Sequence, residues 1–374
     1  MRLTFLHTAD WQIGKRFGSF PGDKPAVLRD QRLQAVDRLA NAATAEGCSA
    51  VLVAGDVFDA ETVPVALSGQ LMARLRAYPT LTWHLLPGNH DPARSGGVWG
   101  ALVGALPANV HVHLEAKPVE MAAGVVLLPA PLMSKRTSSD PTAWMDGAAL
   151  PAGALRIGLA HGSVQGFGSA GDANVPIDPA RVKSSGLAYL ALGDWHGTTR
   201  VSDRAWYSGT PEPDGFRDND PGNALIVRLD GAAAPKVERV PTAHFTWLRR
   251  EQKVDGAASL TPIEAEIARL GSNAARTLLA LQLTGTAALI ELVRIEERLS
   301  KLAPQLFHLA PDLSGVSAYA DAADLEALNS PVLSDIAQRL KATAEQGGAE
   351  AAVANRALRR LFALARQAEA RAPS

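Results

Sequence analysis

Seven short apolar runs recur along residues 2–230, and five of them lead directly into side chains that can bind a metal ion. Each run has the length and composition of a buried strand. They read RLTFLHTAD, AVLVAGD, LTWHLLPGN, VVLLPAP, LRIGLAHG, LAYLALGD and NALIVRLD. Such a chain must pack its strands as sheets around a common core, because a single strand cannot cover its own apolar face.

Helical spacing connects the first strands. Between the first two runs, apolar residues recur at i, i+3, i+4 and i+7, which predicts a helix. These residues are Val36, Leu39, Ala40 and Ala43. A second helix is predicted over residues 65–77. The strand–helix–strand order implies parallel pairing, whereas the later strands have shorter links and are expected to form a second sheet.

The composition of the chain changes near residue 250. All seven tryptophans lie at or before Trp247, and eight of the nine histidines lie at or before His244. The polar stretch 250–262 contains the turn residues of a boundary, and the chain after it is rich in Ala, Leu, Glu and Arg. There TLLALQLTG predicts a strand. The helix that follows carries one apolar face, formed by Leu292, Ile295, Leu299 and Leu302.

The charge and the cysteine content of the chain argue against several classes of protein. The formal net charge is −1 and the pI is near 6.8, which argues against coating nucleic acid by phosphate attraction alone. The single cysteine, Cys48, excludes an internal disulfide and a cysteine metal site, and we expect it in the core. No apolar run reaches eighteen residues and the start does not resemble a signal peptide. We therefore expect a cytoplasmic protein with no membrane association.

The side chains that follow the strands can bind metal through oxygen or imidazole. In chain order they are Asp10, Gln12, Asp56, Asp59, Asn89, His90, Asp91, His161, Asp194 and His196. Taken singly, each fits a strand cap, a turn or a core histidine. Taken together they indicate one site, because ligands gather at the carboxyl ends of strands in open α/β sheets. A donor set without thiols favours manganese, iron or magnesium, and one carboxylate able to bridge describes a two-metal site for phosphoryl displacement.

Four motifs place the chain beside a known family. GDxxD, GNHD, a lone histidine after a strand and a closing G-x-x-H resemble the calcineurin-like metallophosphoesterases. The flanking text LHTADWQIG, VAGDVFD, LPGNHD and WYSGTPEPDGF is similar to the SbcD-type DNA repair exonucleases. The resemblance covers residues 1–230. It implies an α/β fold: a two-sheet metallophosphoesterase sandwich with helices on the outer faces, plus a smaller C-terminal α+β cap and a helical tail.

The resemblance also implies roles for the site residues. Asp56 would bridge two metals. The first site would comprise Asp10, Gln12, Asp56 and His196, and the second site Asp56, Asn89, His161 and Asp194. His90 would lie beside the scissile phosphate as proton donor or charge stabiliser, with Asp91 orienting it. The loop 208–212 would be structural, and no substrate-binding residues are assigned.

Two positions depart from the family pattern, which has histidine where Gln12 and Asp194 stand. Glutamine can still ligate through its amide oxygen, so Gln12 is either a weak ligand or a residue that binds a metal-bound water. Asp194 adds negative charge, and the extra oxygen donors favour manganese, with magnesium as the alternative. Trp11 and Trp195 follow ligand strands. They are expected to pack the wall of the site, with stacking on a base as the alternative.

The function implied is a two-metal-dependent DNA nuclease for DNA repair, working with an SMC-like ATPase of the SbcC type. One alternative is a phosphoesterase for small substrates, since the core motifs serve the whole superfamily. Another is a scaffold with a decayed site that only binds DNA or the ATPase, which the departures at Gln12 and Asp194 would permit. A homodimer is also compatible with the resemblance.

Three segments follow from these observations. We expect a nuclease domain over residues 1–242, a cap domain over 243–345 with a possible DNA-binding role, and a C-terminal helix over 346–374. That helix carries an apolar stripe opposite several arginines. Either the stripe packs in the core of the cap, or the helix docks on the ATPase or on DNA phosphates.

Overall fold

The computed structural model describes residues 2–166, 174–231, 233–319, 328 and 330–371, apart from some side chains of the last helix. The chain divides into two compact units, Met1–His244 and Phe245–Ser374. Within the described residues, no helix is both long and apolar enough to cross a membrane.

The first sheet has six strands in the order β14-β13-β1-β2-β3-β4. The strands are β1 (Arg2–Thr8), β2 (Ala50–Val53), β3 (Thr82–Leu85), β4 (Val110–Val112), β13 (Asn223–Asp230) and β14 (Lys236–Pro241). Neighbours from β1 to β4 pair in parallel, which confirms the pairing predicted for the first strands; β4 itself was not among the predicted strands. Helix α1 (Lys24–Ala45) joins β1 to β2, α2 (Val65–Arg76) joins β2 to β3, and the short α3 (Val98–Leu102) precedes β4. The predicted helices are thus confirmed.

The second sheet also has six strands, in the order β11-β12-β10-β7-β6-β5. They are β5 (Val119–Ala122), β6 (Val125–Ala130), β7 (Leu155–His161), β10 (Tyr189–Gly193), β11 (Thr199–Ser202) and β12 (Ala205–Tyr207). Two short strands, β8 (Ser163–Val164) and β9 (Pro176–Ile177), pair beside it, and α4 (Arg181–Ser184) precedes β10.

Side chains that point alternately to the two faces of a strand enter two different cores. In β2, Leu52 faces a core shared by the two sheets, whereas Val51 and Val53 face the core beneath α1 and α2. Because successive side chains of a strand point to opposite faces, a fully apolar strand is covered on both sides. The two sheets therefore form the predicted sandwich with helices outside. Cys48 is buried in the outer core, as expected.

One strand lies in a different sheet from the one predicted. The run NALIVRLD forms β13, which pairs antiparallel with β1 in the first sheet, with Leu6 opposite Ile226. The expectation that all later strands form the second sheet is therefore wrong for this run. It occupies the free side of β1, where Ala224 and Ile226 complete the outer core and Leu225 and Val227 complete the inner one.

The second unit is built on a parallel three-stranded sheet, ordered β15-β16-β17. Its elements are β15 (Thr246–Val254), α5 (Thr261–Leu270), β16 (Thr277–Ala288), α6 (Leu289–Leu302), β17 (His308–Tyr319), α7 (Pro331–Glu345) and α8 (Ala349–Arg371). Strand β16 and helix α6 confirm the elements predicted there. Leu358 and Phe362 on the apolar stripe of α8 are buried against Leu289 and Ala337 of the same unit. Of the arginines opposite the stripe, the side chains of Arg359 and Arg366 lie outside the described residues.

Candidate metal centre

The ends of four strands bring the predicted ligands together at one edge of the sandwich. Asp10 follows β1, Asp56 follows β2, and His161 ends β7. One donor atom from each of these three buried residues lies within 4.8 Å of the others. Asp194 and His196 follow β10 and approach the same group. The cluster inferred from the sequence therefore exists as a spatial cluster, and the metal-binding role of each residue stays a prediction.

The backbone at the site is held in an unusual conformation. Asp10, Gln12, Asp56 and Asp194 all have positive φ, at 55°, 43°, 53° and 98°. Non-glycine residues adopt this region rarely, and such strain concentrates at functional sites because the surroundings must enforce it. Here backbone hydrogen bonds enforce it, from Asp10 N to Gly55 O at 3.1 Å and from Gln12 N to Asp56 O at 2.9 Å.

Two motif glycines are required by close packing. A Cβ at Gly55 would lie 2.2 Å from His161 Nδ1, and a Cβ at Gly88 would lie 2.2 Å from Asp56 Oδ1. Any larger residue would therefore displace a predicted ligand, and Gly55 also has a φ of +91°. The GD and GN pairs are thus needed to bring the strand ends close enough to share one cluster.

The second site contains donor atoms that lack a partner. His161 Nδ1 donates to Ala54 O at 2.8 Å, which leaves Nε2 as the ring nitrogen that faces the carboxylates. That atom lies 3.5 Å from Asp56 Oδ1 and 3.8 Å from Asp194 Oδ1. Neither His161 Nε2 nor the buried Asn89 Oδ1 has a hydrogen-bond partner among the described residues. Buried polar atoms without partners are costly, so this set of one nitrogen and several oxygens fits a divalent cation.

The first site is more fully hydrogen-bonded. Gln12 Nε2 lies 3.2 Å from His196 Nε2, and Lys15 Nζ donates to Gln12 Oε1 at 3.1 Å. His196 Nδ1 lies 3.1 Å from Asp214 Oδ1. Asp10 accepts the backbone N–H of Asp194 at 3.2 Å. Gln12 is 2 % exposed, so it points into the cluster, although its amide is bonded to other side chains.

Negative charge dominates the centre. Burial raises the pKa of Asp10 to about 6. Burial alone would lower the pKa of His161, but the carboxylates of Asp56, Asp10 and Asp194 outweigh it and raise that pKa to about 9. A cation binding here would replace the proton in compensating these carboxylates.

His90 has a different anchor from the one predicted. Its Nδ1 donates to the backbone carbonyl of Asp59 at 3.1 Å, and its backbone N–H donates to Asp56 Oδ1 at 2.9 Å. The Asp91 carboxylate instead accepts the backbone N–H groups of Gly88 and Phe58. Asp91 therefore fixes the two ligand loops, and the group that directly orients the His90 ring is a carbonyl that no sequence motif indicates.

Arg32 was missed by the sequence reasoning. It is buried on α1 and donates to the backbone oxygens of Asp10 at 2.9 Å, Trp11 at 2.8 Å and Glu212 at 2.8 Å. Arg32 thus ties the loop after β1 to the loop 208–212. A signal was available, since Arg32 interrupts the inward face of α1 four residues after Leu28.

The two tryptophans beside the site differ. Trp11 is buried and packs edge-on against Trp83, with ring centroids 5.9 Å apart. Trp195 is 37 % exposed. Trp11 therefore packs the wall, as expected, and stacking on a base stays open only for Trp195.

Comparison with known proteins identifies the family of the chain. Residues 3–227 match the calcineurin-like phosphoesterase family. The chain is 30% identical to the SbcD subunit of the nuclease SbcCD from Rhodobacter capsulatus, across 72% of this chain and 76% of that protein. It is 25% identical to the uncharacterized metallophosphoesterase YhaO of Bacillus subtilis, across 76% of this chain and 72% of that one. A purple acid phosphatase from yellow lupin aligns with a TM-score of 0.44 and 13% identity, over 65% of this chain and 52% of its own. The chain belongs to the calcineurin-like phosphoesterase family.

Proposed function

We propose that this protein is a DNA nuclease that hydrolyses phosphodiester bonds in DNA repair, using two divalent cations, manganese or magnesium. The observation that carries the proposal is a pair of buried ligand atoms at the second site, His161 Nε2 and Asn89 Oδ1, which have no hydrogen-bond partner among the described residues. They lie among carboxylates that need a cation. The similarity to a protein named as a nuclease subunit supports a nucleic acid as the substrate.

Different residues of the chain would bind the cations and donate the proton. When bound, the cations supply Lewis-acid charge to the phosphoryl oxygens and activate water. Asp56 belongs to both sites, so its carboxylate balances both charges. With Nδ1 held by the Asp59 carbonyl, His90 keeps Nε2 for the substrate. A proton held on that Nε2 would pass to the leaving oxygen.

A partner is part of the proposal. The chain has a net charge of only −1, so its unaided affinity for DNA phosphates should be low. The relative is named as a subunit of a complex, which supports an SMC-like ATPase as the source of additional DNA affinity. Because the apolar stripe of α8 is buried at Leu358 and Phe362, docking through α8 would use its opposite side, where Arg356 and Arg360 are exposed.

The test measures hydrolysis of labelled single- and double-stranded DNA with manganese, beside a chromogenic phosphodiester. The His90→Asn variant should lose roughly 10²–10⁴-fold in kcat on DNA, the usual span for a positioned acid–base group, while manganese binding is unchanged. His111→Asn is the matched control, because His111 is an exposed histidine of the same unit. Hydrolysis of the chromogenic substrate alone would favour the small-substrate alternative, and metal binding without any hydrolysis would favour the scaffold.

A further inference from the structure

Four side chains at the first site form a closed ring of polar contacts. Lys15 Nζ bonds Gln12 Oε1 at 3.1 Å, and Gln12 Nε2 meets His196 Nε2 at 3.2 Å. His196 Nδ1 meets Asp214 Oδ1 at 3.1 Å, and Asp214 Oδ2 forms an ion pair with Lys15. The longest-range contact of the ring, between Lys15 and Asp214, joins residues 199 positions apart in sequence.

One arrangement of hydrogens satisfies every contact of the ring. A carboxylate only accepts, so His196 carries its proton on Nδ1 toward Asp214. The lone pair on His196 Nε2 then accepts from the Gln12 amide group, whose oxygen accepts from the ammonium of Lys15. Two atoms that could bind a first cation, Gln12 Oε1 and His196 Nε2, are therefore both engaged by protein partners.

We propose that Lys15 is an internal competitor for the first cation, a role that rests on the metal centre of the proposed function. Its ammonium holds the Gln12 and His196 donors in the ring, so the second site fills first. The first site fills only at higher metal concentration. A cation must break the bond from Lys15 to Gln12 and meets the repulsion of a nearby like charge.

The difference in exposure between Lys15 and Asp214 would allow a cation to replace the Lys15 ammonium. The Lys15 side chain is 27% exposed, whereas that of Asp214 is 4% exposed. Lys15 can therefore swing toward solvent while Asp214 stays and keeps His196 in the tautomer that presents Nε2. A carboxylate that holds the far nitrogen of a histidine is a common support for metal ligation.

The experiment titrates Mn²⁺ into the full-length protein and follows free manganese by electron paramagnetic resonance. Wild type should bind one ion per chain tightly and a second roughly 10-fold or more weakly. Lys15→Met should tighten only the weak site, by roughly 10-fold or more. Lys15→Arg keeps the charge and should leave the site weak. Lys117→Met removes an exposed lysine from a loop and controls for net charge.

The outcomes distinguish a failure of the proposed Lys15 role from a failure of the proposed metal centre. Two equally tight ions in wild type, or an unchanged weak site in a Lys15→Met protein with a normal melting temperature, would overturn the role of Lys15 alone. If Lys15→Met fails to fold, the Lys15→Arg titration decides, because a site that becomes tight with the charge retained also overturns it. Failure to bind any manganese would overturn the metal centre and the proposed function as well.

Discussion

The two proposed metal sites, for which Asp56 is the proposed shared ligand, differ in how some of their other donor atoms are bonded. At the proposed second site, His161 Nε2 and Asn89 Oδ1 are buried and have no hydrogen-bond partner in the part of the chain that the structure describes. At the first site, the corresponding atoms of Gln12 and His196 are hydrogen-bonded. Two donor atoms of the proposed second site are thus left for a cation, whereas the corresponding atoms of the first site already have protein partners.

The difference follows from what surrounds each site. The second is closed by strand ends and by glycines that leave no room for a further side chain, as at Gly55 and Gly88. The first adjoins the loops that carry Lys15 and Asp214, whose side chains can reach its donors. A charged side chain from a neighbouring loop can therefore make two sites unequal even when their ligands lie on the same sheets.

The largest effect should come from the residue that the two sites share. Asp56→Asn removes one negative charge from both, so we expect loss of tight manganese binding. We also expect a fall in nuclease rate beyond the roughly 10²–10⁴-fold of an acid–base variant. Asp59→Asn is the matched control, since it keeps the backbone carbonyl that bonds His90. A variant that still binds manganese tightly would remove Asp56 from the centre.

A matched pair of histidine variants tests the manganese affinity of each site separately. His161→Asn should weaken the tight ion roughly 100-fold or more, at or beyond the upper end of the effect seen for residues that only support ligands. His196→Asn should leave the tight ion unchanged and abolish only the weak one. Both histidines are buried, so thermal melting of both variants controls for stability. If the two variants lost manganese affinity to the same extent, the two sites would have equal affinity and the comparison would fail.

The smallest effect concerns Gln12. Gln12→His supplies a nitrogen donor and removes the amide oxygen that Lys15 binds, so the first site should tighten by roughly 10-fold or less. Activity should appear at lower metal concentration, with zinc or cobalt better tolerated. A metal titration that matches wild type would place Gln12 outside the ligands of the first metal.

The sequence was sufficient to predict the sheets and the cluster of ligands. An apolar run indicates a buried strand, and the polar residues after it indicate where the strand ends. Parallel strands end at the same edge of a sheet, so Asp10 and Asp56 come together there. The placement of β13 was not predictable in the same way, because an apolar run carries no mark of which sheet it joins. Its partner β1 lies more than 200 residues earlier.

The contacts proposed to make the two sites unequal could not be predicted from the sequence. Lys15 and Asp214 lie 199 positions apart in sequence, and neither belongs to a recognised ligand motif. The anchor of His90 is a backbone carbonyl, which every residue possesses and no pattern distinguishes. Arg32 is the exception, because a charged residue on the inward face of an amphipathic helix indicates a buried polar contact.

The most direct test of this account is anomalous diffraction at the manganese edge, from crystals of the full-length protein grown with less than one equivalent of Mn²⁺ per chain. The account predicts one anomalous peak, among Asp56, Asn89, His161 and Asp194, with Lys15 still bonded to Gln12. A peak of equal height beside Gln12 and His196, or a peak there alone, would contradict it.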